Sequence, residues 1–144
     1  MKPIDLDPFD RSIISVLQDE GRLSVTALAE RVGLSKTPTQ GRLKRLQERG
    51  VIRGFRAVVN HALLGRDHIA FTEVKLTDTR EEALSAFNDA VRKVSEIESC
   101  HMIAGAFDYL LKVRTRDIAA YRRVLGERIS ALPHVASTST YVAM

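Results

Sequence analysis

The chain has 144 residues, enough for one ordinary domain or two small ones. Hydrophobic residues make up 44% and charged residues 28%, the balance of a soluble folded protein, and no apolar run approaches the roughly 18–20 residues that span a bilayer. The net charge of +4 lies wholly in the N-terminal part: residues 1–60 hold 11 Lys/Arg against 7 Asp/Glu, while residues 61–144 hold 11 of each.

The acidic start, MKPIDLDPFD, lacks the basic-then-apolar pattern of an export signal. Cys100 is the single cysteine, so no internal disulfide can form. Both features predict a cytoplasmic protein with no membrane partner.

Asp7-Pro8 opens the first helix. Asp7 suits a cap, Pro8 suits the first helical position, and Asp10 sits near the positive end of the dipole. Phe9, Ile13, Val16 and Leu17 recur at helical spacing and predict a buried stripe. Gly21 ends this helix. Ser24 caps a short second one with Ala27, Leu28 and Val32 on its inner side. Gly33 marks a sharp turn, Leu34 drops into the core, and Ser35 caps a third helix whose first turn tolerates Pro38.

On that third helix Leu43 and Leu46 face inward. At about 100° per residue the opposite face carries Thr37, Gly41, Lys44 and Arg45, with Gln40 on one flank and Arg42 and Arg49 on the other. Between Lys36 and Arg56 seven basic residues stand against Glu48 alone. A solvated face normally mixes signs, so this clustering points to a polyanion. A DNA major groove admits one helix and presents acceptors on guanine and mixed patterns on adenine. Gln40, Lys44 and Arg45 are suited to read such edges, and Thr37 to meet a phosphate or a thymine methyl. The helix start at Ser35 and Lys36 favours a phosphate. Gly41 costs about 1 kcal/mol relative to alanine in a helix interior. On an exposed face this fits either close approach to a partner or a neutral residue.

Gly50 stops the helix. VIRGFRAVVN then reads as a strand pair or wing, with Val51, Ile52, Val58 and Val59 packed inward and Arg53 and Arg56 set toward the DNA backbone. Ordinary strand-edge solvation is the lesser reading of the two arginines, because basic wings track phosphates. The domain so defined covers residues 1–60.

HALLGRDH, residues 61–68, reads as a connector. Residues 69–77 read as a strand. Residues 80–95 read as a helix with Leu84, Phe87, Val91 and Val94 inward, and residues 97–104 as a second strand. Gly105 to Asp108 form a turn, and Tyr109 to Arg114 its hairpin partner. Residues 117–131 read as a helix with Ile118, Tyr121, Leu125 and Ile129 inward. Leu132-Pro133 stops it before a last strand over 135–143. The fold class is therefore α+β. The order βαββαβ over 69–144 is a ferredoxin-like split unit. Two helices cover one sheet face, and a second copy of the chain is expected on the other, because apolar sheet faces are rarely left open.

Catalysis finds no support. The four histidines lie singly. Cys100 and His101 are neighbours in a strand, where side chains point to opposite faces and cannot pair as nucleophile and base. No metal-ligand spacing and no phosphate loop occur, so no cofactor is expected.

The sequence resembles the Lrp/AsnC family end to end. The resemblance rests on LDPFDRSIISVLQDEGRLS, LAERVGLSKTP, RLKRLQERGVIRGF, SCHMIAGAFDYLLKV and AYRRVLGERISALPHVASTSTYV, in that order and spacing. It is similar above all to the leucine-responsive branch. The resemblance implies a transcription regulator with an N-terminal winged reader of double-stranded DNA and a C-terminal amino-acid-sensing domain. It also implies dimers joined into octamers or similar rings, with the effector held between sensing domains.

Carried over by position, the effector-responsive residues fall on Met102, Gly105, Asp108, Ile118, Tyr141 and Val142. Asp108 would accept from the effector's ammonium. Backbone N–H groups at Gly105 and the hydroxyls of Thr138 or Thr140 would donate to its carboxylate. Met102 and Val142 would wall a leucine-like aliphatic side chain. Each has a plainer reading: Met102 and Val142 as core, Gly105 and Asp108 as turn formers. Two departures stand out. Gln40-Gly41 replaces a bulkier pair, so no operator preference transfers, and relatives usually continue past the last strand, where this sequence ends at Met144. The competing reading is an architectural protein that compacts DNA with weak sequence preference.

Overall fold

The computed structural model describes residues 3–144. The chain divides into two compact units, one ending at Val58 and the other beginning at Val59. Among the described residues no helix is long and apolar enough to cross a membrane.

The first unit is built from helices α1 (Pro8–Asp19), α2 (Val25–Val32) and α3 (Lys36–Glu48). The Asp10 N–H donates to Asp7 Oδ1 at 2.9 Å, which caps α1. Ser24 caps α2 by accepting from the Ala27 N–H at 3.1 Å. Gly33 ends α2 in the left-handed region, φ 72°, where a side chain would be strained. The chain can then re-enter a helix after Ser35. Gly50 repeats that conformation after α3, and the Val51 and Ile52 N–H groups both donate to the Leu46 carbonyl. The core is Ile13, Leu17, Leu28, Val32 and Leu46, with Val51 and Ile52 against it.

Three expectations fail here. Phe9 is 41% exposed. The Arg42 guanidinium lies over its ring, 5.4 Å from the centroid. Residues 53–60 form no strand, since no partner strand reaches them among the described residues. Val58 and Val59 therefore have nothing to pack on and are exposed. Phe55 leans on Gly21 instead: a Cβ added there would stand 3.2 Å from its ring.

The second unit holds β1 (His68–Leu76), α4 (Glu81–Val91), β2 (Ile97–Met102), β3 (Tyr109–Thr115), α5 (Ile118–Val124) and β4 (Val135–Val142). The sheet order is β2-β3-β1-β4, and all pairs are antiparallel. This is the α+β, ferredoxin-like βαββαβ arrangement. A π-helical turn, Leu125–Ile129, prolongs α5, with the Ser130 N–H donating to the Leu125 carbonyl at 2.9 Å.

Alternation along the strands sends Ala70, Thr72, Val74, Tyr109, Leu111 and Val113 to the helix side, where Phe87, Val91, Tyr121 and Ile129 meet them. Phe71, Leu110 and Tyr141 point the other way, and Phe71 and Tyr141 are direct neighbours across β1 and β4. Ile118 was expected inward but is 50% exposed. It is the first residue of α5, and helical side chains lean toward the N-terminus, so it points past the helix end.

Candidate DNA-reading face and effector site

In the first unit, α3 buries Thr39 and Leu46 and exposes Lys36, Thr37, Gln40, Gly41, Lys44, Arg45 and Arg49. Thr37, Gly41 and Lys44 form the outermost row. Glu48 joins that row, 3.8 Å from Lys44 in an exposed i,i+4 pair, so the outer face is not purely basic. No atom lies within 4 Å of a Cβ placed on Gly41, so internal packing does not account for a glycine there. Ser35 occupies the cap position of α3, but its hydroxyl makes no cap bond; Thr39 Oγ1 donates to the Ser35 carbonyl at 2.9 Å. Arg53 and Arg56 are exposed on the irregular segment after α3.

Arg45 departs from the expected arrangement. It sits at the rim of the outer face, about 80° from Thr37 at 100° per residue, and reaches back to α1. Its Nη2 is 3.2 Å from Asp10 Oδ1 and 3.4 Å from Oδ2. Arg42 Nη1 bridges Asp7 Oδ2 at 2.5 Å and Asp10 Oδ1 at 3.0 Å. The Asp10 N–H and the Arg42 guanidinium together hold the Asp7 carboxyl below the usual carboxylate range. Sequence reasoning treated Asp7 and Asp10 only as helix-start residues. The available signal was the matched spacing: two carboxylates three apart on one helix, two arginines three apart on another.

In the second unit the positions expected to meet the effector fall into separate places. Met102 ends β2, at one edge of the sheet, and is 62% exposed. Gly105 and Asp108 lie on the β2–β3 connection beside it. Tyr141 and Val142 end β4, at the opposite edge, 56% and 43% exposed. Thr138 and Thr140 lie on β4 opposite Val74 and Thr72. Ile118 begins α5. A single chain therefore does not gather them into one cavity.

Two of these groups also have internal duties. Asp108 Oδ2 accepts from the Leu76 N–H at 2.7 Å, and the Asp108 N–H donates to the Val74 carbonyl at 3.0 Å. The residue pins the β2–β3 connection to the end of β1, leaving Oδ1 without a partner among the described residues. The Thr140 hydroxyl is 2.5 Å from the Tyr121 hydroxyl, which is 2.9 Å from that of Thr72.

Residues 6–53 match the family model described as a winged helix-turn-helix DNA-binding domain, and residues 69–144 match the Lrp/AsnC ligand binding domain. The chain belongs to the Lrp/AsnC family. It is a transcription regulator with a DNA-reading domain and an amino-acid-binding domain. It is 66% identical, over 99% of its length and 92% of the relative's, to a proline dehydrogenase transcriptional activator of Rhizobium radiobacter. It is 45% identical to the leucine-responsive regulatory protein of Escherichia coli K12, over 97% of its length and 85% of the relative's. The resemblance to the leucine-responsive branch therefore holds, but the identity to the proline dehydrogenase activator is higher. A Neisseria meningitidis transcriptional regulator solved with L-methionine superposes with a TM-score of 0.91 at 31% identity, covering 97% of this chain and 90% of that one. Nothing in these likenesses supports a DNA-compacting protein of weak sequence preference.

Proposed function

We propose that the chain acts as a cytoplasmic homo-oligomer, a dimer assembling to an octamer or similar ring. Its paired α3 helices enter successive major grooves, and its amino acid binds where sensing domains meet. The observation that carries this reading is the split of the effector positions. The strand order separates Met102 from Tyr141 and Val142 by three interstrand spacings, about 14 Å. Both edges are exposed, so a closed site needs a second chain. The open sheet face supports the same reading, since Phe71 and Tyr141 offer that chain adjacent apolar side chains.

At the DNA, Thr37, Gln40, Gly41 and Lys44 face base edges, with Arg45 at their rim. Ser35, Lys36, Arg49, Arg53 and Arg56 meet the backbone. At the effector, Asp108 Oδ1 is the acceptor for the ammonium. Gly105 and the Thr138 or Thr140 hydroxyls serve the carboxylate, while Met102, Ile118, Tyr141 and Val142 enclose the side chain. A leucine-like aliphatic amino acid fits such walls. Because two relatives are named as proline dehydrogenase activators, proline is a second candidate to try, and a proline dehydrogenase gene is the first target to test. Regulation is the whole activity, with no enzymatic step.

Thermal shift of the intact oligomer against the amino acids tests this. One small apolar amino acid raises the melting temperature, because a ligand of the folded state stabilises it, and Asp108→Ala weakens the shift. The response also disappears in Phe71→Asp if that variant runs as a monomer. No shift with any amino acid sinks the sensing reading.

A further inference from the structure

The clamp between α1 and α3 treats its two arginines unequally. Arg42 is spent inside the domain: it holds both Asp7 and Asp10, and its guanidinium covers the Phe9 ring. Arg45 meets Asp10 alone, and through one amino group only. Its side chain is 46% exposed, whereas that of Asp10 is 5% exposed. Its Nε and its second amino group donate to nothing among the described residues. One amino group of this guanidinium is therefore fixed to a buried carboxylate, while Nε and Nη1 are free at the rim of the reading helix.

We infer that Asp10 is a positioning residue for DNA reading. It holds Arg45 in one orientation and presents the unused donors to the duplex. A guanidinium carries five N–H donors in a rigid plane, so fixing one edge fixes the direction of the rest. The donors left free, Nε–H and the Nη1 amino group, each suit an acceptor on a phosphate or on guanine O6 or N7. An arginine ordered before binding loses less side-chain freedom on contact. Asp10 itself is buried and touches no DNA.

The inference rests on the reading that places Arg45 at the duplex, and the sign of one effect separates it from plain electrostatics. Removing a negative charge near a polyanion should, by Coulomb's law alone, tighten binding to any DNA. Loss of a positioning residue should weaken binding to the chosen sequence only.

The test uses the full chain, a duplex selected from a random-sequence pool, and an unrelated duplex, with affinities measured by fluorescence anisotropy. Asp10→Asn and Arg45→Ala are each expected to weaken binding to the selected duplex about tenfold, and the double variant no more than Arg45→Ala alone. On the unrelated duplex Asp10→Asn should bind as well as the parent or better. Asp7→Asn removes a charge from the same clamp without touching Arg45. It should stay within about twofold of the parent, which controls for charge and for loss of fold. Unchanged or tighter selected binding by Asp10→Asn overturns the inference, as does an additive loss in the double variant or a tenfold loss in Asp7→Asn. In each of those cases Arg45 remains a DNA contact. If Arg45→Ala itself costs nothing, the underlying reading falls and the inference with it.

Discussion

Gly41 sets the stability of the fold against the proposed DNA contact. It sits inside α3 with open space around it, where alanine would strengthen the helix. Gly41→Ala should therefore raise the stability of the first unit by up to about 1 kcal/mol while weakening DNA binding severalfold. Melting curves and binding titrations on the same preparation check both signs, and unchanged affinity would leave Gly41 without a role. Glu98 gives a second residue-scale test. Arg114 and then Lys112 hydrogen-bond its carboxylate, holding its pKa below the ordinary value. Ionised Glu98 thus favours the folded state above the unfolded-chain pKa, about 4.3. That contribution fades as pH falls below it toward the folded pKa. Glu98→Gln should melt lower than the parent at pH 7, and the gap should narrow as pH falls below about 4.3, whereas a constant gap would contradict the assignment. The basic residues of α3 were legible from charge alone. The Asp10–Arg45 contact was signalled only by the matched spacing of acids and arginines, because it depends on how α1 crosses α3 rather than on either helix.

At the scale of elements, the caps and glycine stops were readable, since Asp7 and Ser24 bond N–H groups three residues ahead and Gly33 and Gly50 act through their own backbone. The wing was not. Residues 53–60 carry β-forming residues, but a strand needs a partner, and no local pattern shows that one is missing. Ile118 failed for a related reason: helical periodicity gives its direction but not whether a surface waits there. The second unit holds a hydroxyl chain, buried at Thr72 and Tyr121, that periodicity also could not reveal. Thr72, Tyr121 and Thr140 link β1, α5 and β4 through side chains alone. Tyr121→Phe should cost about 1–2 kcal/mol, because the fully buried Thr72 hydroxyl loses its partner. Chemical denaturation reads this directly. A loss below about 0.3 kcal/mol would mean that the chain contributes only packing.

For the whole molecule, the +4 excess confined to the first 60 residues and the neutral βαββαβ half already separated reader from sensor in the sequence. The effector site was legible only as positions carried over from the family. Its residues lie on opposite edges of one sheet, and no reading of a single chain brings them together. Under the proposed function, sensing, assembly and DNA binding form one linked equilibrium, in which an amino acid changes DNA affinity only as far as it binds one arrangement better than another. The most direct measurement is a binding titration of the full chain on its selected duplex, with and without saturating proline, leucine or methionine, at several salt concentrations. Specific binding should fall steeply with salt, and one amino acid should shift the affinity about 5–150-fold. Affinity unmoved by any amino acid, or equal on selected and unrelated duplexes, would contradict the account.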